Sequence, residues 1–329
     1  MKNTSYIKCV VLAFMSILFL SACSSNSGND NVPEWVLNPI QDDQEYFYGV
    51  GVATTLEAAK QHALKEIASK FSVRINSETL HKQTLHNGQE DQLFSQNINT
   101  HVKDIEFNLV EQKKAEKVNQ QYFVQVALSR IGFIKDNKSK LSIIIDDIDV
   151  KLNNINSKSK IEQLYAYNQI QEEVTKAEPL LYLIAVADPR FDLAPYARRF
   201  QQYSIAETQL LSSTYFYIQS SQNLLPIAEQ LNDLLQTQGL QISSRNKADA
   251  IIKLQGKIKN TQAFSAYNVR INVSFLVKST KGSVYSKKSY LLNGSSVTSH
   301  QRAYESAVSK FLTVVESRSD IYELLGFND

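Results

Sequence analysis

The chain has almost no cysteine: only Cys9 and Cys23 occur among its 329 residues. Both lie at the N-terminal end, so no thiol follows Cys23. Residues 24–329 can therefore form no disulfide among themselves and can supply no cysteine ligand to a metal. The stability of the protein must come from apolar cores, for which a chain of this length suffices.

The sequence also has no apolar run long enough to span a membrane. The longest candidate, Val10 to Leu20, is well short of the ~20 residues that a spanning helix needs. Lys2 and Lys8 precede it, and small residues follow it up to Cys23, which is typical of a secretory signal. The ending Leu-Ser-Ala-Cys resembles the bacterial lipoprotein signal.

This resemblance implies cleavage between Ala22 and Cys23 and attachment of acyl chains, palmitate among them, to Cys23. Several acyl chains on one residue would anchor the protein durably. Ser24 stands where an aspartate would imply retention at the inner membrane. We therefore expect a lipid-anchored protein at the periplasmic face of the outer membrane.

A strong net charge is missing as well. Removal of the signal with Lys2 and Lys8 leaves 33 basic residues against 33 acidic ones. A neutral chain without a stripe dense in lysine and arginine gives no electrostatic reason to expect nucleic acid as a partner.

Recognisable catalytic motifs are lacking. Gly49-Val50-Gly51 lies between a predicted strand and helix, but it lacks the third glycine of a dinucleotide loop, so close helix packing is the favoured interpretation. The acidic cluster Asp146, Asp147 and Asp149 is interpreted as the charged outer face of a helix. The five histidines show no metalloprotease spacing; they are His62, His81, His86, His101 and His300. We expect no enzyme, no metal and no cofactor besides the covalent lipid.

The hydrophobic pattern divides the chain into five parts. These are the signal peptide 1–22, a flexible tether 23–31, an α+β domain 32–132, a helical spacer 133–213 and a C-terminal α+β domain 214–329. The first domain is predicted to contain a strand at Tyr46 to Val52, a helix capped by Thr54 and Glu57, and a strand at Ser72 to Asn76. An antiparallel pair, Asp104 to Gln112 with Tyr122 to Leu128, completes this strand-helix-strand layer.

Three segments of the first domain carry a family resemblance. They are the letters PEWV, the run YFYGVGVATTLEAAKQHALKEIASKFSVRINSE and the run QYFVQVALSR. In this order they resemble the LPP-twenty lipoprotein family, a domain that also occurs in flagellar outer-membrane-associated proteins. The resemblance covers about one hundred residues and implies an envelope role without catalytic residues.

The remaining two parts are predicted from helix and strand periodicity. Amphipathic stretches over Leu141 to Ile155 and Ile161 to Val174 should pair as an antiparallel hairpin, followed by a third helix over Pro195 to Leu211. The C-terminal domain should contain a strand near Tyr215, a helix ending at Gly239, an antiparallel meander and a closing helix from Gln301. Its architecture resembles the periplasmic domains of curli-secretion and penicillin-binding-protein-activator lipoproteins.

The function expected from these features is a non-catalytic outer-membrane lipoprotein that acts as an envelope scaffold or adaptor. A flagellar basal-body accessory protein is its most concrete form, with an envelope protein as partner. The alternative is a regulatory lipoprotein that binds and activates a peptidoglycan synthase. Trp35, Tyr46 and Tyr48 are the candidate interaction residues, although packing within the first domain is the competing interpretation for Trp35.

Overall fold

The computed structural model describes residues 32–83, 107–318 and 320–327. Helices and sheets are mixed in the way expected for an α+β protein. The chain divides into two compact units, the first ending at Lys135 and the second beginning at Asp136. Among the described residues, no helix has both the length and the apolar character needed to cross a membrane.

The first unit is built on a three-stranded antiparallel sheet. Its elements are α1 (Glu34–Leu37), β1 (Tyr46–Ala53), α2 (Leu56–Gln83), β2 (Val110–Val118) and β3 (Gln121–Ser129), and α3 (Arg130–Leu152) begins in it. The strand order is β1-β3-β2, so β3 is the central strand and β1 and β2 are the two edge strands. A tight turn joins β2 to β3, and its residues Asn119 and Gln120 have φ angles of 49° and 65°. This geometry is typical of hairpins and confirms the predicted antiparallel pair.

Helix α2 packs on the sheet through small residues. A Cβ atom on Gly49 would lie 2.1 Å from the carbonyl oxygen of Ala63, and one on Gly51 would lie 1.9 Å from that of Ala59. Glycine at these two positions therefore allows the strand and the helix to pack closely, as the sequence suggested. Phe47 on the same face of β1 makes an edge-to-face contact with Phe71 of α2 at 4.7 Å between ring centroids.

Three predictions for this unit need correction. Ser72 to Asn76 is not a strand but the continuation of α2, since no glycine or proline ends the helix there. The hydroxyl of Ser72 donates a hydrogen bond to the carbonyl oxygen of Ala68, one helical turn earlier. The helix is capped by Thr55 rather than Thr54, because Thr55 Oγ1 accepts the amide of Ala58 at 3.2 Å. The strand predicted over Asp104 to Gln112 is found at Val110–Val118; residues 107–109 are not strand, and residues 104–106 lie outside the described part of the chain.

Three helices open the second unit: the remainder of α3, α4 (Lys160–Ala187) and α5 (Ala194–Ser213). Ser159 and Glu162 form a capping box at the start of α4. Helices α3 and α4 run antiparallel, since Lys138 near the start of α3 lies 3.6 Å from Asp188 beyond the end of α4. The helical hairpin is thus confirmed. Helix α4 extends further than predicted and includes Pro179.

A five-stranded mixed sheet follows in the same unit. Its elements are β4 (Tyr215–Gln219), α6 (Leu225–Thr237), β5 (Gln241–Ile242), β6 (Ala250–Ala263), β7 (Ala266–Ser279), β8 (Val284–Ser296), α7 (His300–Glu316) and α8 (Ile321–Leu325). The order is β5-β4-β6-β7-β8. Strand β4 pairs in parallel with β5 and β6, whereas β6, β7 and β8 form the predicted antiparallel meander.

One hydrophobic core joins the sheet to the helices. Ile161 and Leu164 of α4 belong to the same buried cluster as Phe275 of β7 and Phe311 of α7. The expected spacer 133–213 and the expected C-terminal domain therefore share one compact unit from residue 136 onwards. Gly239, with a φ of 80°, ends helix α6 as predicted.

Candidate functional site

Trp35 lies against the edge strand β2. Its Nε1 donates to Glu116 Oε2 at 3.3 Å, and Lys114 Nζ lies 5.7 Å from the centroid of its ring. Pro33 is buried, which fixes the short helix α1 to the domain. Leu37 and Ile40, which follow Trp35, remain 68% and 44% exposed. The tryptophan is therefore held by the domain, while apolar side chains beside it face solvent.

Tyr46 and Tyr48 lie next to each other on β1, with ring centroids 6.0 Å apart. Lys113 Nζ is 4.5 Å from the centroid of the Tyr46 ring, within the range of a cation–π contact. Tyr48 is buried, and its hydroxyl donates to Asp43 Oδ2 at 3.2 Å. Burial and this hydrogen bond raise the pKa of Tyr48. Tyr46 is half-buried and can contact a partner, whereas Tyr48 is part of the domain's packing.

Asp43 organises the entry into β1. Its Oδ1 accepts the backbone amides of Glu45 and Tyr46, both at 2.7 Å, and these bonds lower the pKa of Asp43. Arg130 donates from Nε and Nη2 to the carbonyl oxygen of Asp43, at 3.1 and 2.6 Å. The guanidinium carbon of Arg130 also lies 3.9 Å from the centroid of the Phe47 ring. Asp43 therefore stays ionised at neutral pH as a structural hydrogen-bond acceptor.

Side chains close the free edge of β1. Glu66 Oε2 accepts the amide of Val50 at 2.6 Å, and Asp42 Oδ1 accepts the amide of Tyr48 at 3.0 Å. Lys70 Nζ donates to the carbonyl oxygen of Tyr48 at 2.6 Å. Because exposed edge strands attract further strands, this satisfaction of backbone groups protects the sheet from unwanted pairing.

A surface depression of about 510 Å³ lies over this edge. Its lining includes Asp42, Glu66, Lys70 and Arg74. Lys70 lies 3.2 Å from Asp42 and 3.5 Å from Glu66, and Arg74 lies 3.5 Å from Asp42. The charges are thus paired with one another. Sequence reasoning missed this network, although the spacing of four between Glu66, Lys70 and Arg74 indicates paired charges on one helix face.

The acidic cluster lies on the outer face of α3, as the sequence suggested, with Asp146 and Asp149 exposed. Asp147 pairs with Lys151, and Asp149 pairs with Arg199 of α5. His62 Nδ1 lies 2.7 Å from the carbonyl oxygen of Val52. Across the described ranges, no group of three or more His, Cys, Asp or Glu side chains is placed to hold a metal. Ala22, Cys23, His86 and His101 lie outside the described residues, and so does the side chain of His81.

Comparison with known proteins supports the first unit's resemblance. Residues 33–129 match the family model described as LPP20 lipoprotein, which confirms the predicted family for the N-terminal domain. No match was found among curated proteins. The match ends before the second unit begins, so the lipoprotein family accounts for the first unit alone.

Two solved structures are similar to the chain. One is the secreted protein HP1454 of Helicobacter pylori, 18% identical, covering 84% of this chain and 98% of that chain with a TM-score of 0.44. The other is a minor lipoprotein of Acinetobacter baumannii, 11% identical, covering 32% of this chain and 90% of that chain with a TM-score of 0.27. At these scores neither structure carries an argument about fold or function.

Proposed function

We propose that the protein is a non-catalytic lipoprotein of the outer membrane that acts as an envelope scaffold or adaptor. The observation that carries this proposal is the match of residues 33–129 to a lipoprotein family. The expected lipobox, Leu20 to Cys23, lies shortly before this domain in the sequence. A flagellar basal-body accessory role is the most concrete form of the proposal, because the same domain occurs in flagellar outer-membrane-associated proteins.

The short tether supports a role close to the membrane. Only the nine residues 24–32 separate Cys23, the expected site of lipidation, from the buried Pro33. Nine residues reach about 30 Å at full extension. A domain on such a tether stays near the inner face of the membrane, where it can hold a partner.

The surface around Trp35 and Tyr46 is the proposed contact for that partner. Lys113 and Lys114, consecutive in β2, hold the rings of Tyr46 and Trp35 respectively. Leu37 is exposed beside them. Aromatic side chains fixed by their own domain are favoured at interfaces because little conformational entropy is lost on binding.

Deletion of the gene in the native bacterium tests this proposal. Loss of motility with an intact cell wall is expected for a flagellar accessory protein, and the chain should purify with basal bodies. Wall sensitivity with normal motility would instead support the alternative, an activator of a peptidoglycan synthase. Normal motility together with a normal wall would contradict both.

Complementation separates anchoring from folding. The Cys23→Ser variant should leave the outer-membrane fraction after a high-salt wash and should fail to restore the deletion phenotype. A Ser24→Ala variant serves as the control, since it leaves the lipidated cysteine in place. Retention of the Cys23→Ser protein in the outer membrane would show that the lipobox is not its anchor.

A further inference from the structure

The second unit carries a long stretch without any acidic residue. From Ala250 to Tyr304 the sequence has nine basic residues and no aspartate or glutamate. The basic residues are Lys253, Lys257, Lys259, Arg270, Lys278, Lys281, Lys287, Lys288 and Arg302. The acidic residues that bound the stretch, Asp249 and Glu305, pair with Lys160 and Arg302. The meander β6-β7-β8 is therefore a local positive surface on a chain whose formal net charge is only +2.

Strand register places several of these cations on the solvent face of the sheet. Lys259 of β6 is directly opposite Arg270 of β7, which is opposite Asn293 of β8. All three are exposed, and Arg270 Nε donates to Asn293 Oδ1 at 3.2 Å. Like charges directly opposite each other destabilise a sheet. The opposition of Lys259 and Arg270 is therefore not explained by the stability of the sheet.

The same end of the sheet has an apolar tip. Ala263 pairs with Ala266, so Phe264 and Ser265 form the turn between β6 and β7. Phe264 is 105% exposed and has a φ of 56°, which is uncommon for a bulky residue. Val297, directly after the end of β8, is 80% exposed at the same end.

Between the tip and the cations lies a polar row. Thr261, Asn268 and Ser295 are in register across the three strands. Together with Lys259, Arg270 and Asn293 they line a surface depression of about 550 Å³. From the tip inwards, the sheet thus presents apolar, then neutral polar, then cationic side chains.

We propose that this end of the meander docks onto an anionic phospholipid surface, with Phe264 and Val297 entering the bilayer and Lys259 and Arg270 facing the headgroups. The dimensions agree with this arrangement. Apolar side chains of interfacial proteins enter about 5–10 Å into the boundary of headgroups and acyl chains. At about 3.4 Å per strand residue, Lys259 lies roughly 17 Å from Phe264 along β6. When Phe264 is about 5–10 Å deep, Lys259 is therefore about 7–12 Å from the boundary, which is about one Debye length at physiological ionic strength.

Vesicle binding tests this inference without the lipid anchor. The full mature chain carrying Cys23→Ser is mixed with phosphatidylcholine vesicles, or with vesicles containing equal parts of phosphatidylcholine and phosphatidylglycerol. Cosedimentation is expected only with the anionic vesicles and should weaken with added salt. Because this protein lacks the lipidated cysteine, the result is independent of the proposed scaffold function.

Variants at the tip and in the cationic row should weaken binding in different ways. Phe264→Ser should reduce affinity about tenfold through loss of apolar burial, and Lys259→Gln and Arg270→Gln about fivefold each. Lys281→Gln and Val284→Ser are matched controls in the turn and strand at the opposite end of β7 and β8. They should change affinity less than about twofold.

Three results would overturn the proposal. The first is equal binding to both kinds of vesicle, and the second is anionic binding that survives in the Lys259→Gln/Arg270→Gln protein. The third is tight binding of soluble polyphosphate that needs Lys259 and Arg270 but not Phe264. That pattern would assign the depression to an anionic polymer instead of a membrane. Thermal unfolding of each variant shows whether it is folded before its binding is compared.

Discussion

The two units pack a helix onto a sheet by the same means but differ in how the charges on their sheets are arranged. In the first unit, Gly49 and Gly51 lie under the alanines of α2, and in the second unit Gly294 of β8 lies under α7, where a Cβ atom would be 2.1 Å from the carbonyl oxygen of Ala303. In the first unit Lys70 and Arg74 are paired with carboxylates. On the meander face of the second unit, Lys259 stands opposite Arg270.

This difference separates stability from function. A charge paired with an acid and bonded to a strand edge, such as that of Lys70, helps to hold its own domain together. A charge opposite a like charge, such as that of Arg270 opposite Lys259, gains no ion pair from its strand partner and is the charge that the proposed membrane contact uses.

Alanine at the glycine contacts should have the largest effect on stability. Gly51→Ala and Gly294→Ala should each destabilise their unit by about 3 kcal/mol or more, because the added carbon meets backbone atoms that cannot move aside. Gly239→Ala is the control, since its site is open and only its φ of 80° is strained, at a cost of about 1–2 kcal/mol. Urea unfolding measures all three. A small effect at Gly294 alone would show that the two units do not share this packing.

The pH dependence of stability should differ between the units. Burial raises the pKa of Glu178 in α4 to about 7, whereas backbone amides lower the pKa of Asp43 in the first unit. Because the unfolded chain releases the Glu178 proton near its ordinary pKa of 4.5, the contribution of Glu178 to the stability of the second unit is lost as pH rises from about 4.5 to about 7. The contribution of Asp43 runs the other way: it is present at neutral pH and is lost as pH falls below its ordinary range.

The Glu178→Gln variant checks this sign. It should be more stable than the parent protein above pH 7 by about 1–3 kcal/mol and nearly equal to it well below pH 4.5. The exposed Glu172, in the same helix, supplies the matched control as Glu172→Gln. Equal stabilisation at both ends of the pH range would mean that Glu178 acts through packing rather than through its proton.

The smallest expected effects concern the two kinds of cation. Lys70→Gln should cost about 1 kcal/mol, since it removes a bond to the Tyr48 carbonyl and a half-exposed ion pair. Arg270→Gln should leave stability unchanged or raise it by a few tenths of a kcal/mol, because it relieves repulsion by Lys259. Denaturant titration of the pair of variants gives both values. A clear loss of stability in Arg270→Gln would place that residue among the structural charges.

Local patterns predicted most elements of the fold. The Ala-rich stripe of α2, the alternation of β3 and the glycine after α6 each mark their element through neighbouring residues. The error at Ser72 to Asn76 has the same origin, because five alternating residues satisfy both a strand and an amphipathic helix. The helix continues through this segment because no glycine or proline interrupts it, and Phe71, directly before it, packs against Phe47 of β1.

The candidate sites depended more on tertiary structure. The sequence pointed to Trp35, Tyr46 and Tyr48 as candidate interaction residues. It did not predict the cation–π contacts of Lys113 with Tyr46 and of Lys114 with Trp35, or the burial of Tyr48. The cationic stretch could have been found in the sequence. The net charge of the whole chain does not reveal it, since 33 acidic residues, all outside Ala250 to Tyr304, offset most of the 35 basic ones.

The sequence by itself determined the expectation of a lipid anchor, the family of the first domain and the periodicity of its helices and strands, because each depends on residues adjacent along the chain. Only the tertiary structure decided which charges meet. Lys70 forms an ion pair with Asp42, which is 28 residues away in the sequence. Lys259 lies opposite Arg270 because the tight turn between β6 and β7 sets the strand register. Pairing of charges follows distance in space, and distance in space is fixed only when the strands and helices pack.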